Sequence, residues 1–205
     1  MKLYFSPGAC SLSPHIVLRE SGLDFALVQV DLRTKKTKSG DDFLKINAKG
    51  YVPVLQFDDG SVLTEGSAIV QYVADRVPEK ALAPPAGSMG RYRLQEWLNF
   101  VSTELHKGFS PLFAASTPDA YKPIAAENLV RRFAFVDGAL AGREFLAGDH
   151  FTGADAYLFT MCQWASFLKL PMDDMAALRA WRERIAARPA VKMALQVETD
   201  ARKAA

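Results

Sequence analysis

The chain has few of the residues on which several kinds of protein depend. Only 2 of its 205 residues are cysteine, too few for a disulfide framework, and a free thiol fits a reducing cytoplasm. Its 3 histidines, His15, His106 and His150, have no metal-ligand spacing with one another or with Cys10 and Cys162, so the pattern assigns no metal. Lys and Arg total 25 against 23 Asp and Glu, an imbalance too small to hold a nucleic-acid backbone or an anionic membrane. No glycine pattern fits a phosphate-binding loop. Long apolar runs are missing as well: the most apolar segment, residues 154–168, contains Asp155, stops at Lys169 and is too short to span a bilayer. The first five residues are followed at once by Ser6-Pro7-Gly8, unlike a secretory signal. The expected setting is soluble and cytoplasmic, with 49% apolar residues to build a sizeable core.

What is present divides the chain. Residues 1–80 alternate short apolar strands with helical patterns, whereas nothing after residue 88 reads as a strand. A strand is expected at 3–5, a helix at 11–21 with Pro14 in its first turn, and a strand at 25–30. Residues 31–40 read as a polar, basic loop and 41–46 as a short irregular helix. Strands at 54–57 and 61–63 meet at Asp58-Asp59-Gly60, and a helix follows over 66–77. The order β-α-β-α-β-β-α is that of a thioredoxin-like α/β domain, and residues 81–87, rich in Ala, Pro and Gly, read as a linker.

Residues 88–205 read as an all-α bundle of about five helices, at 88–113, 123–140, 154–168, 175–187 and 190–200. The first puts Leu94, Trp97, Leu98, Val101, Leu105 and Phe109 on one arc and Gln95, Asn99, Thr103, His106 and Ser110 on the opposite one. The third is apolar nearly all round, which marks the centre of the bundle, and Thr152-Gly153-Ala154-Asp155 opens it with a capping box.

Cys10 follows a turn and precedes a helix, so its sulfur is expected at a helix N-terminus, where unpaired N–H groups stabilise a thiolate or an anionic sulfur partner. Cys10-Ser11-Leu12-Ser13 has the CxxC spacing with Ser in the second place, which excludes an internal disulfide there and leaves a mixed disulfide with a small thiol open. Cys162, inside the apolar helix, reads as packing. Val52-Pro53 suits a cis peptide that exposes the Val52 backbone to an extended ligand, and equally a trans Pro in an ordinary turn. Glu65-Gly66-Ser67 opens a helix whose free N–H groups suit a carboxylate, with Glu65 for an ammonium; an ordinary helix start fits these residues too. The stripe that carries His106 suits solvent or a subunit seam better than a binding wall.

The stretches KLYFSPGACSLSPHIVLRE at 2–20, Gly50-Tyr51-Val52-Pro53-Val54-Leu55, LTEGSAIVQYVAD at 63–75, EWLNF at 96–100, ELHKGFSPLF at 104–113 and DHFTGADAYLF at 149–159 occur in one order and spacing. With them the chain resembles, over its whole length, a glutathione S-transferase of the bacterial beta class. The resemblance implies a thioredoxin-like domain that binds glutathione, an all-α domain that holds a hydrophobic electrophile, a homodimer, and a detoxifying conjugation that uses glutathione as co-substrate and no cofactor. It places Cys10 against the glutathione sulfur, able to form a mixed disulfide, with Ser11, the helix N–H groups and His106 as donors to the thiolate, or His106 as a base. Val52, before a cis Pro53, would pair with the cysteinyl unit. Glu65, Gly66 and Ser67 would hold the γ-glutamyl end and Lys35 the glycyl carboxylate. Asn99, Thr103, Glu104 and His106 would approach the thiol or the γ-glutamyl end, partly across the dimer seam. Phe5, Leu32, Phe109 and Phe113 are expected around the electrophile. Many animal members use a Tyr at the end of strand one; here Cys10 takes that role unless Tyr4 faces the site. A glutaredoxin-like thiol-disulfide transferase and a non-catalytic binding module are the alternatives.

Overall fold

The computed structural model describes residues 1–204. Strands β1 (Lys2–Phe5), β2 (Ala26–Asp31), β3 (Lys36–Thr37), β4 (Val54–Gln56) and β5 (Val62–Thr64) form one mixed sheet in the order β3-β2-β1-β4-β5. β1 and β2 run parallel, with Leu3 opposite Leu27, and are joined by α1 (Leu12–Ser21); the other neighbours are antiparallel. Alternation along β1 puts Leu3 in the core with α1 and α2 (Gly66–Asp75), and Tyr4 on the other face with Val30, Phe43, Val52 and Val54.

Two local expectations need correction. The stretch expected as loop contains β3, whose two residues are too few to show any alternation; β3 folds back on β2 through a turn in which Asp31 accepts the amides of Arg33 (2.8 Å) and Thr34 (3.3 Å). The expected helix at 41–46 is a single 3-10 turn, Phe43–Lys45, with Asp42 accepting from the Leu44 amide.

The helical half comprises α3 (Met89–Phe100), α4 (Ser110–Phe113), α5 (Lys122–Leu140), α6 (Gly153–Phe167), α7 (Ala176–Ala187) and α8 (Pro189–Lys203). α3 runs into α4 through a π turn, Val101–His106, and a 3-10 turn, Lys107–Phe109. In the π turn each residue advances by less than the 100° assumed from sequence, so His106 leaves the polar stripe and turns inward. Of the apolar arc, Leu94, Leu98, Val101, Leu105 and Phe109 are buried and Trp97, at its edge, is half-buried.

α6 is the centre of the bundle. Its wholly buried Asp155 accepts from the Thr152 amide (2.9 Å), the Thr152 hydroxyl (3.0 Å), the Leu146 amide (2.8 Å) and the Trp181 indole (3.0 Å). The cap thereby ties α6 to α7 and to the loop before α6. Gly153 lets α6 start against α2, because a Cβ there would lie 2.7 Å from Val70 Cγ2. A single core runs through both halves, from Leu3 and Ile16 to Phe133 and Trp181, and α1 packs on α6 and α8. The segment bearing Cys10 is therefore held by the helical half. Among the described residues no helix is long and apolar enough to cross a membrane.

Candidate active site

Residues 6–9 turn the chain from β1 into α1, with the Ala9 amide on the Ser6 carbonyl (3.0 Å) and Gly8 in the left-handed region at φ +78°. The helical half clamps this turn at one residue: Trp164 Nε1 donates to the Gly8 carbonyl (2.8 Å), and the Gly8 amide donates to Glu198 (2.9 Å). Cys10 follows, partly buried, its thiol donating to the Val52 carbonyl at 3.2 Å. Burial pushes the thiol up to about 12, against the lowering influence of its own amide and that of Ser11; the carboxylates of Glu65 and Glu198 push it the same way as burial. The helix N-terminus expected to stabilise a thiolate is thus present and outweighed. In this site Cys10 is a neutral thiol.

Ser11 faces the Cys10 sulfur with its amide and not with its hydroxyl, which is sealed from solvent and braces the turn by accepting from the Ser6 amide (3.2 Å) and donating to the Ser6 carbonyl (3.3 Å). Tyr4 is likewise out of reach: its hydroxyl donates to Gln56 (2.9 Å) and its ring packs on Phe43.

The Val52–Pro53 bond is cis, and Val52 is buried with its carbonyl against the Cys10 thiol. Asn47 steadies the approach by donating to the Tyr51 carbonyl (2.8 Å), and Lys35 donates to the Gly50 carbonyl (3.0 Å) while lying 6.0 Å from the Tyr51 ring centre. Glu65 opens α2 at φ +67°, its carbonyl taken by the Ala68 and Ile69 amides, which leaves the Gly66 and Ser67 amides as free donors. Its exposed carboxylate meets Lys49 at 2.7 Å, a solvated pair of little energetic weight. The charge of Glu65 nevertheless reaches Cys10, His106 and Tyr157, so these four side chains share one neighbourhood.

His106 packs edge-on to Trp164 (4.9 Å between ring centres) and bonds Tyr157 through Nδ1 at 2.5 Å. Burial first, then Lys107, lowers its pKa to about 4, while burial raises that of Tyr157. With both groups neutral at pH 7, one proton joins the phenol oxygen to Nδ1, and the imidazole tautomer sets which of them donates. With Nδ1 accepting, the imidazole hydrogen is on Nε2 and His106 is a donor; with Nδ1 donating, Nε2 is free to act as a base. Tyr157 and Trp164 escaped the sequence reading because they sit in a helix whose apolar character hides polar tips. The signal was a Tyr and a Trp seven residues apart, hence on one face, each with a donor that needs a partner when buried.

Asn99 and Thr103 are exposed, with the Thr103 hydroxyl on the Asn99 carbonyl (3.0 Å), and Glu104 pairs with Arg132 at 2.8 Å. Thr103 and Glu104 line a groove against α5. Between the 6–9 turn, α6 and α8 lies a cleft of about 570 Å³ walled by Pro7, Ala9, Leu32, Phe113, Trp164 and Phe167. Leu32 and Phe113 are where the electrophile was expected; Phe5 and Phe109 are buried in the core and line nothing there. Among the described residues no group of three or more His, Cys, Asp or Glu is arranged to hold a metal ion.

A family model described as Glutathione S-transferase, N-terminal domain, matches residues 8–76, and one described as Glutathione S-transferase, C-terminal domain, matches residues 100–189. Glutathione S-transferase GstA of Escherichia coli O157:H7 is 50% identical over 198 residues, covering 97% of this chain and 98% of GstA. The sphingomonad glutathione S-transferase complexed with glutathione superposes with a TM-score of 0.94 at 49% identity, covering 97% of this chain and 99% of that one. The bacterial beta class glutathione S-transferase of Sphingomonas chungbukensis also gives 0.94, at 46% identity over 97% and 98%. The chain belongs to the glutathione S-transferase family and to its bacterial beta class.

Proposed function

We propose that this enzyme joins the thiol of glutathione to hydrophobic electrophiles. The observation that carries the reading is the Cys10 thiol on the Val52 carbonyl, with the free amides of α2 to one side and the apolar cleft to the other. The cysteinyl amide of glutathione takes the Val52 carbonyl, the acceptor that Cys10 now uses. The Cys10 S–H is then free to donate to the glutathione sulfur, joined by Nε2–H of His106. Donors to a thiolate lower its pKa and raise the reactive fraction. The thiol proton passes to solvent, the sulfur electron pair forms a bond to carbon, and the leaving group departs with its bonding pair. The Gly66 and Ser67 amides hold the γ-glutamyl carboxylate, Glu65 exchanges Lys49 for the ammonium, and Lys35 exchanges the Gly50 carbonyl for the glycyl carboxylate. Residues 1–80 bind glutathione, 81–87 link, and 88–205 supply the electrophile site.

The reading includes a homodimer in the cytoplasm and no cofactor. An aromatic cluster of exposed Phe135 and half-buried Trp97 and Phe100, with ring centres 5.2 to 6.1 Å apart, supports a subunit seam beside Asn99, Thr103 and Glu104. Thiol-disulfide transfer ranks second, because it needs Cys10 as the attacking thiolate. A thiol with a pKa of about 12 is ionised at pH 7 in about one molecule in 10⁵. With oxidised glutathione that minor thiolate attacks one sulfur, the S–S bond breaks, and one glutathione leaves as thiolate.

The test is turnover of chlorodinitrobenzene by wild type and Cys10→Ala, with intact mass after incubation with oxidised glutathione. Wild type is expected to form the thioether, Cys10→Ala to retain about a tenth of its kcat/KM, and only wild type to gain an adduct of about 305 Da. No turnover and no retention on immobilised glutathione would remove the reading in favour of a binding module.

A further inference from the structure

The cleft beside Cys10 is apolar along most of its wall, and most of the polar groups that line it are engaged. Trp164 donates to Gly8, Thr160 to the Ala156 carbonyl (2.9 Å) and Thr199 to the Leu195 carbonyl (2.8 Å). Glu198 is turned inward, its two oxygens taken by the Gly8 amide and by His15 (3.1 Å). Arg202 differs. Its guanidinium lies over Gly8, where a Cβ would overlap it, and among the described residues its one hydrogen bond, to the Pro7 carbonyl, is long at 3.4 Å. Among the described residues no carboxylate pairs with it; of the two acidic groups that line these walls, Glu198 bonds the Gly8 amide and His15, and Asp31 accepts the amides of its own turn. An adjoining cleft of about 480 Å³ shares Ser6, Pro7, Leu32 and Arg202 and adds Lys36 and Lys38. The cations Arg202, Lys36 and Lys38 thus outnumber the carboxylates Glu198 and Asp31 at one rim of an otherwise apolar site, with Arg202 on the turn that leads into Cys10.

We propose that the preferred electrophiles are anionic, with an apolar body seated between Leu32, Phe113 and Trp164 and a carboxylate or similar group held by Arg202. This rests on the conjugation reading of the same site. Apolar walls discriminate weakly between ring substituents, whereas a guanidinium accepts a carboxylate through two parallel hydrogen bonds and rejects a cation. Arg202 is on this view the residue that sets charge preference. In the reaction the thiolate sulfur bonds to the electrophilic carbon, a halide leaves with the bonding pair, and the carboxylate is unchanged.

The matched probes are chlorodinitrobenzoate and its methyl ester, which share the reacting ring and differ in charge. The quantity is the ratio of kcat/KM for acid over ester, in wild type, Arg202→Gln and Arg202→Lys. Because Arg202 is exposed, the ratio is expected to fall about fivefold in Arg202→Gln and to be partly kept in Arg202→Lys, and the wild-type ratio to fall with added salt. A ratio unchanged by Arg202→Gln and by salt, with both compounds turned over, overturns the charge preference and leaves conjugation standing. Failure of wild type to turn over even the ester overturns conjugation and this proposal with it.

Discussion

Burial pushes the thiols of Cys10 and Cys162 up to about 12 alike, yet the two side chains sit in different chemistry. Cys162 is wholly buried in α6. Cys10 is only partly buried, follows Ala9 of the cleft wall, donates to the Val52 carbonyl, and has two amides directed at its sulfur. The comparison teaches that ionisation does not separate a functional thiol from a packing one. What separates them is access, and an acceptor that a ligand can take over. A neutral thiol suits the role of donor to another sulfur better than that of nucleophile.

The largest effect should appear in alkylation by iodoacetamide of the native protein. Cys10 reacts from the folded state, whereas Cys162 must await opening of the α6 core, so their rates are expected to differ by about 10³ or more. Peptide mass mapping over time measures both, and comparable rates would erase the distinction. Next comes a pair of serine variants. Cys10→Ser is expected to lower kcat/KM for conjugation about tenfold, with stability changed by less than about 0.5 kcal/mol. Cys162→Ser should do the reverse, costing about 1 to 2 kcal/mol by urea unfolding and leaving kcat/KM within about twofold, because its hydroxyl enters a buried apolar site. Equal losses of activity would show that Cys162 acts on the site through α6.

The same contrast shows how far the sequence reaches. Cys10, Val52 and Glu65 were legible because each lies at the start of an element, where strand-turn-helix order alone places a side chain or a free amide. The order of elements was legible for the same reason, apart from β3, which is too short to carry a pattern. Contacts between distant segments were not. Tyr157 and Trp164 reach the site only because α6 packs across α1, and periodicity reports their apolar bodies and not their polar tips. His106 was seen and misplaced, since nothing in Val101–His106 announces a π turn. At Ser11 the group that faces the Cys10 sulfur is the amide, while the hydroxyl is held by the amide and the carbonyl of Ser6, a division that the sequence does not show.

The smallest effect tests the balance of burial and amides at each thiol, through the dependence of stability on alkaline pH. Both native thiols are raised from an ordinary 9.0 to about 12. Below pH 9 the thiol is protonated in the folded and unfolded chain alike, and its contribution is fully present. Between 9 and 12 the unfolded thiol loses its proton while the native one keeps it, so the native state binds more protons and stability falls as pH rises. From pH 8 to 10 a shift of this size removes about 1.4 kcal/mol per thiol. Urea unfolding of Cys162→Ala at both pH values should therefore show a loss smaller than that of wild type by about 1 kcal/mol. Cys10→Ala should recover about as much, since burial, the two amides and the nearby carboxylates together leave that thiol at the same value. A recovery in Cys162→Ala with none in Cys10→Ala would mean that the amides outweigh burial at Cys10, and the two thiols would no longer share one ionisation behaviour.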